Sequence, residues 1–205
     1  MDLDMGENTI QQKRTRNPFA MFAPLPVGVS FDEQDEGENI VLLLRAHIVT
    51  LVPALLEFIV LLVLPLVAIL VARAIGFNLA SLLAASQIGI LLLCWYVFLV
   101  GLVFYRFIFW YFNVYLLTNE RVIDFDFRGI LHKETSYANL SQIQDVSPRI
   151  IGFFGTFFHF GNVFIQTAGE KPEFEFINVA RPDDVARAIL GEVRDEESEA
   201  PGEIA

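Results

Sequence analysis

Two long stretches of the chain carry almost no polar residue. From Ile48 to Ala72 the sequence reads IVTLVPALLEFIVLLVLPLVAILVA, with Glu57 its one charge. A second apolar run starts at Ile88, passes Phe104 and extends to about Phe109. A helix needs roughly 20 consecutive apolar residues to cross a bilayer, and both runs are long enough. Between them lies Arg73-Ala-Ile-Gly-Phe-Asn78, where Gly76 and Asn78 stop one helix and cap the next. Two such runs so close together predict a membrane hairpin, with helices over about 53–73 and 86–109 inside a block spanning 38–110.

The entry to the first helix has two readings. Pro53 suits a first helical turn, where its missing N–H costs nothing. Residues 39–52 (NIVLLLRAHIVTLV) then lie along the interface with Arg45 and His47 facing headgroups, and Glu57 sits one turn below the surface. A helix starting near Ala46 would instead carry Glu57 toward mid-membrane, where an ionisable group is functional by default. The shallow arrangement is the expected one.

After Trp110 the pattern changes from helical to alternating. Tyr111–Leu117 (YFNVYLL), Val122–Phe127 (VIDFDF) and Ile130–Tyr137 (ILHKETSY) have the β-branched and aromatic content of strands. Thr118-Asn119-Glu120-Arg121 and Arg128-Gly129 supply the turns between them. Ile143–Val146 reads as a short strand ending at Pro148, and Val163–Thr167 with Phe174–Val179 form a further hairpin. Arg181-Pro182-Asp183-Asp184 then opens a helix, since Pro suits its first turn and acids favour its positive end. Val185, Ile189 and Val193 recur on one face of that helix. The prediction is a membrane α-helical hairpin plus an α+β unit over 111–191.

The flanks differ from both blocks. Residues 1–37 mix Pro18, Pro24 and Pro26 with Phe19, Phe22, Leu25 and Phe31, too apolar for a solvated linker and too Pro-rich for a helix. They are expected to be flexible or to dock as a strand on the chain's own sheet or on a neighbour. Residues 192–205 are acidic and expected to be disordered.

Composition agrees with this division. Apolar residues make up 54% and charged residues 19%, against about 45–50% and about 25% in soluble domains. The net charge is −11, with 14 Lys+Arg and 25 Asp+Glu, which argues against a nucleic-acid-binding protein. Among charges near the helix ends, Arg45, Arg106 and Arg121 flank the side shared by the termini and Arg73 flanks the connection. The positive-inside bias then predicts a multi-pass protein of the inner (plasma) membrane with both termini cytoplasmic. Trp110, Tyr105, Tyr111 and Phe112 gather where the second helix ends, as an interfacial aromatic belt would, although Tyr111 and Phe112 fit a barrel core equally well. A cleaved signal peptide is not expected, because the first apolar run starts late and no small-residue cleavage site follows it.

Catalytic chemistry finds no support in the residues, and the chain is not expected to be an enzyme. His47, His132 and His159 are scattered without metal-ligand spacing. The single cysteine, Cys94, can form neither an internal disulfide nor a thiolate cluster and reads as a small apolar residue in a helix. Ser136 and Ser141 lack a paired base or a nucleophile elbow. Asp124 and Asp126 alternate on one strand face, as solvated carboxylates do. No cofactor or metal site is predicted.

The ordered series of motifs in the second block resembles a known family. It includes Leu117-Thr118-Asn119-Glu120-Arg121-Val122-Ile123, Gly129, and Leu140-Ser141-Gln142-Ile143-Gln144-Asp145-Val146. Gly152-Phe153-Phe154-Gly155, Phe160-Gly161-Asn162-Val163, Thr167-Ala168-Gly169 and Pro182-Asp183-Asp184-Val185 follow, and Glu38 through His47 fits the approach to the helices. Together they resemble the bacterial pleckstrin-homology-like family, long catalogued as a domain of unknown function and typically attached to paired membrane helices. The resemblance implies an antiparallel pleckstrin-homology-like β-barrel of about seven strands, closed at one end by one C-terminal helix. It brings no activity with it.

Phosphoinositide binding needs several cations converging on one headgroup. Around the first hairpin the chain offers Arg121 beside Glu120, with Arg128 and Lys133 next nearest, in an 81-residue block of net charge −3. High-affinity phosphoinositide binding is therefore not expected, and Arg45, Arg121 and Arg128 remain candidates for a headgroup or partner contact. The stretch Ile150–Phe160 holds five phenylalanines in eleven residues. They either fill the barrel or rest in the headgroup layer. The i, i+4 geometry of a short helical turn would bury Phe153 and Phe157 and leave Phe154 and Phe158, with Trp110, at the membrane interface. The expected function is an integral membrane protein that displays a cytoplasmic protein-binding or assembly module. The alternative is an accessory subunit of a membrane transport or export complex. Expected partners are the lipid bilayer and a protein or a second copy.

Overall fold

A computed structural model describes residues 15–31, 33–77, 83–129, 132–168 and 173–198, with the side chains of Arg128, Gly129 and His132 outside that description. The chain divides into two units. The described residues of Val49–Trp110 are mainly helical, and those of the flanking segments, up to Ile48 and from Tyr111, form the other unit.

The helical unit holds α1 (Val52–Ala74) and α2 (Ala85–Phe112). Both are long and apolar enough to cross a membrane. Pro53 occupies the first turn of α1, as expected. Pro65 lies inside α1 and has no N–H to give the Leu61 carbonyl four residues back. That carbonyl is satisfied from the other helix, where the Trp95 indole N–H donates to it at 3.0 Å. Arg106 and Glu57 meet at 3.4 Å, each about half-exposed. No residue of α1 is buried, and Leu99 and Trp110 are the buried residues of α2. Cys94 is exposed.

The second unit is an antiparallel α+β structure. Its strands are β1 (Phe22–Pro24), β2 (Ile40–Arg45), β3 (Val114–Thr118), β4 (Arg121–Gly129), β5 (His132–Asn139), β6 (Ile143–Arg149), β7 (Phe160–Thr167) and β8 (Glu173–Ala180). The first five form one sheet in chain order, and the last three form another. The short helix α3 (Gly152–Phe158) connects β6 to β7, and α4 (Pro182–Ser198) follows β8. Leu42, Leu44, Leu117, Val122, Val163, Ile165 and Phe176 form the main core with Val185 and Ile189 of α4, all fully buried.

Several expectations are corrected. The barrel is not closed: apart from an isolated bridge between Ala46 and Val179, no described strand of one sheet pairs with the other. The ladder breaks at the 3-10 turn Leu140–Gln142, where Leu140 is fully buried and the Gln142 carbonyl accepts from Ala168 N–H at 2.9 Å. Residues 40–45 do not lie along an interface; they form β2, inserted between β1 and β3. The run IVLLLR lacks alternation because β2 is covered on both faces, Leu42 and Leu44 in the main core and Ile40 and Leu43 in a second cluster. The α+β unit is therefore discontinuous and cannot be cut out as residues 111–191. The N-terminal segment docks on the chain's own sheet as β1. Residues 192–198 are helical, held by Val193, which is buried.

Element boundaries moved for local reasons. Helix α2 continues through Tyr111 and Phe112, and Asn113 then turns the chain, its side-chain oxygen accepting from Phe127 N–H at 2.7 Å. Strand β6 runs through Pro148, which pairs with Val163. Proline is tolerated there because β6 is an edge strand.

Among the described glycines, Gly161 has the closest backbone neighbours. A Cβ built on it would stand 2.4 Å from the Arg149 carbonyl oxygen and 3.0 Å from Ile150 Cα. Backbone cannot give way as a flexible side chain can. Gly161→Ala should therefore destabilise the fold by about 1–3 kcal/mol, the range for overpacking. A thermal melt of the full-length protein in mild detergent checks this, and an unchanged midpoint would contradict the tight passage of β7 past Arg149.

Candidate functional site

Three regions gather the functional candidates, all in the α+β unit. The first surrounds Arg121 at the β3–β4 hairpin. Its Nε donates to Glu38 Oε1 at 2.9 Å, and its Nη2 donates to Glu38 Oε2 at 2.8 Å, Asp35 Oδ2 at 3.2 Å and the Glu33 carbonyl at 2.6 Å. Thr118 Oγ1 donates to Glu38 Oε1 at 2.7 Å and accepts from the N–H groups of Glu120 and Arg121. The Glu38 side chain is fully buried, and that of Arg121 is 17% exposed. Burial alone would raise the Glu38 pKa, but hydrogen bonds from Arg121, Thr118 and the Asp35 N–H, with the Arg121 charge, hold it below its ordinary value.

Asp35, Glu38 and Glu120 each place a carboxylate oxygen within 4.8 Å of the others, a spacing that could hold a cation. Both oxygens of Glu38 already bind the guanidinium of Arg121, so that spacing is served by the chain's own cation. A neighbouring cavity of about 620 Å³ is lined by Asp35, Glu120, Glu192, Asp195 and Glu196 around Arg121. Burial and nearby carboxylates raise the pKa of Glu120, and burial with the charge of Asp195 raises that of Glu192. An anionic headgroup would meet repulsion here.

Arg45 is likewise turned inward. It is 8% exposed, donates from Nε to the Tyr111 carbonyl at 3.0 Å and from Nη1 to the Ala20 carbonyl at 3.2 Å, and lies over the Tyr111 ring at 4.6 Å. This corrects its expected position among headgroups: the guanidinium satisfies the Tyr111 carbonyl at the end of α2 and the Ala20 carbonyl in the N-terminal segment. Trp110, expected at a membrane interface, is buried. Arg128 is the penultimate residue of β4, and its side chain lies outside the described residues.

The second region is α3. Its phenylalanines do not fill the core. Phe153, Phe154, Phe157 and Phe158 are 76%, 63%, 66% and 42% exposed, and Ile151 is 66% exposed. The expected division, with Phe153 and Phe157 buried, is overturned; Phe158 is the most covered of the four. The reason is Gly155, the buried residue of α3. A Cβ there would meet the Phe160 carbonyl oxygen at 3.0 Å, so the helix rests on the sheet through its glycine and turns its rings outward. The rings are ordered against one another, Phe153 stacked with Phe157 and Phe157 edge-on to Phe158. His159 ends the helix in the left-handed conformation, its N–H bonded to the Gly155 carbonyl.

The third region adjoins α3. His47 N–H donates to the Asn178 carbonyl at 2.7 Å, its ring stacks on Phe160 at 5.2 Å, and it lies 6.3 Å from the Phe158 ring. Burial holds its pKa below the ordinary value, so the imidazole is neutral at pH 7. An open cleft of about 750 Å³ is lined by His47, Phe158 and His159 together with Arg181, Asp184 and Arg187. Arg187 pairs with Asp184. Two histidines 112 positions apart thus meet at one cleft, which their spacing in the sequence does not show.

Comparison with known families gives one match by domain. The Bacterial PH domain family matches residues 41–193, a range that takes in β2, both apolar helices and most of the α+β unit. The chain belongs to the Bacterial PH domain family. Comparison with curated proteins yields no match. Among solved structures, the chain is similar to a DUF1696 family protein with a pleckstrin-homology domain from Shewanella loihica. The two are 20% identical, the alignment covers 40% of this chain and 68% of that one, and the TM-score is 0.29. As a Bacterial PH domain the unit presents at its first hairpin a closed ion-pair network rather than a basic socket. The resemblance motif Leu117-Thr118-Asn119-Glu120-Arg121 carried that network's Thr and Arg. Its acceptor, Glu38, sits 80 residues from Thr118, and no local signal joins them.

The network makes stability depend on pH. The folded-state pKa of Glu38 is lowered, so its contribution is present above the ordinary carboxylate value of 4.5 and is lost as pH falls through the lowered one. Thermal melts between about pH 7 and pH 3 should show a loss of stability below about pH 4.5 that Glu38→Gln removes. At pH 7 that variant should itself cost about 3–5 kcal/mol, the range for breaking a buried pair. Identical pH profiles for the two proteins would contradict the assignment.

Proposed function

We propose that this Bacterial PH domain protein crosses the membrane twice through α1 and α2 and holds its α+β unit at the cytoplasmic surface as a protein-binding or assembly module. The observation that carries the reading is the solvent-facing character of the helices. Leu55, Leu56, Val60, Leu66 and Leu70 of α1, and Leu93, Val97, Val100 and Phe104 of α2, are all more than 45% exposed. A helix apolar on every side must be buried or must meet lipid, and no residue of α1 is buried in the chain. Glu57, near the start of α1 and paired with Arg106, fits the shallow, structural position. The Trp95 bond to the Leu61 carbonyl also suits lipid, where no water could satisfy that group.

Cysteine labelling tests the topology. On a Cys94→Ala background, Phe77→Cys should react with an impermeant thiol reagent from outside intact cells, and Ser198→Cys should react only after the membrane is opened. Reaction of Ser198→Cys in intact cells would overturn the orientation.

The choice of a protein partner over a phosphoinositide rests on the use of the charges. Arg121 and Arg45 are engaged inside the unit, and the cavity beside Arg121 is lined by carboxylates. The cleft beside His47 carries both signs, Arg181 and Arg187 with Asp183 and Asp184, which suits a polypeptide surface better than a phosphate cluster. Full-length protein in nanodiscs should therefore bind soluble inositol phosphates no better than inorganic phosphate. In mild detergent it should co-purify a protein that the Arg187→Glu variant loses. Selective capture of an inositol polyphosphate would refute this choice.

A further inference from the structure

We infer that the α3 face, Ile151, Phe153, Phe154 and Phe157, is a second membrane contact that inserts into the headgroup and upper acyl layer and docks the α+β unit on the bilayer. This deepens the membrane reading above and rests on it. Three observations point to lipid as the occupant. The first is the place of α3 along the chain. Phe158 lies 6.3 Å from the ring of His47, and His47 is pinned to the end of β8 through the Asn178 carbonyl. From His47 the chain reaches the first apolar helix through residues 48–51 alone. The phenylalanine helix is therefore packed beside the residue from which the chain departs into α1.

The second observation is charge. In a chain of net charge −11, the stretch from Arg149 to Phe160 holds one arginine, one histidine and no carboxylate. A face of that composition meets an anionic leaflet without repulsion, whereas the cavity around Arg121 would not. The third is the architecture of α3. Gly155 presses its backbone on β7 and leaves four phenylalanines outward, their rings already ordered by mutual stacking. Large rings held on a rigid turn form an interfacial anchor. Little conformational entropy remains to be lost when they insert.

The test uses the full-length protein on a Cys94→Ala background, reconstituted in vesicles of phosphatidylethanolamine and phosphatidylglycerol. A polarity-sensitive fluorophore is attached in turn at Phe154→Cys, Phe153→Cys, Glu173→Cys and Val63→Cys. Glu173 is exposed and lies at the end of the β7–β8 ladder opposite α3. Labels at 153 and 154 should emit to the blue of the label at 173, resist aqueous iodide, and be quenched by doxyl groups placed high on the lipid chain. Emission at 153 and 154 that matches 173 and is open to iodide would overturn the proposal. Blue-shifted emission without lipid quenching would also overturn it, since the face would then be covered by protein, a second copy included. The label at 63 reports separately on the membrane-spanning reading: loss of lipid quenching there fails that reading, while quenching at 63 without quenching at 153 and 154 fails the α3 contact alone. Unchanged melting midpoints of the labelled variants in detergent establish that they are folded.

Discussion

The antiparallel pairing of β2 with β3 is the constraint around which this chain is arranged. Arg45 stands opposite Val114 in that register, so the chain leaves the sheet and returns to it at partnered positions. Everything between them is the helical pair with its short connectors. Backbone pairing at that point brings together the residue before the helical segment and the residue after it. The Arg45 side chain reinforces it, donating to the carbonyl of Tyr111 as the second helix finishes. Because Leu42 and Leu44 lie in the main core with Leu117 and Val122, the α+β unit cannot complete its core until the segment before the helices has docked. Folding of that unit thus depends on a strand that precedes both helices in the chain.

Charge is used in the same economical way. Most cations that a sequence reading would offer to a ligand are engaged within the unit. Arg121 binds Glu38, Asp35 and a backbone carbonyl, and Arg45 binds two carbonyls. A buried carboxylate needs such partners, because leaving it alone in a low-dielectric interior would cost several kcal/mol. The consequence is functional as well as structural. A hairpin end occupied by its own ion pair and bordered by Glu120, Glu192 and Glu196 is poorly suited to phosphate. The mixed-sign cleft near His47 and the apolar face of α3 remain as the surfaces with chemistry to offer.

Two kinds of apolar surface stay open in the chain, and they differ in origin. On α1 and α2 apolar side chains surround the whole helix, the pattern of a segment that has lipid for a solvent. On α3 the apolar surface is one face of a single short helix, created where Gly155 takes the inward position. A larger residue there would push the helix off β7 and change which rings face outward.

The primary structure already dictated the two apolar helices, most of the strands and the terminal helix, because each is a local property. Run length, β-branched content and a Pro-Asp-Asp start act over a few residues, and α1, α2 and α4 begin within two residues of their expected places. What the linear order concealed is everything set by partners far apart. Ile40–Arg45 resembles an interfacial stretch because a strand covered on both faces has no alternation to reveal it. Glu38 is unremarkable until Thr118 and Arg121 close around it. The phenylalanines of α3 look like core by composition, and their i, i+4 spacing suggested a buried pair. Their outward turn follows from the contact of one glycine with the Phe160 carbonyl, a relation between two backbones that no helical period encodes.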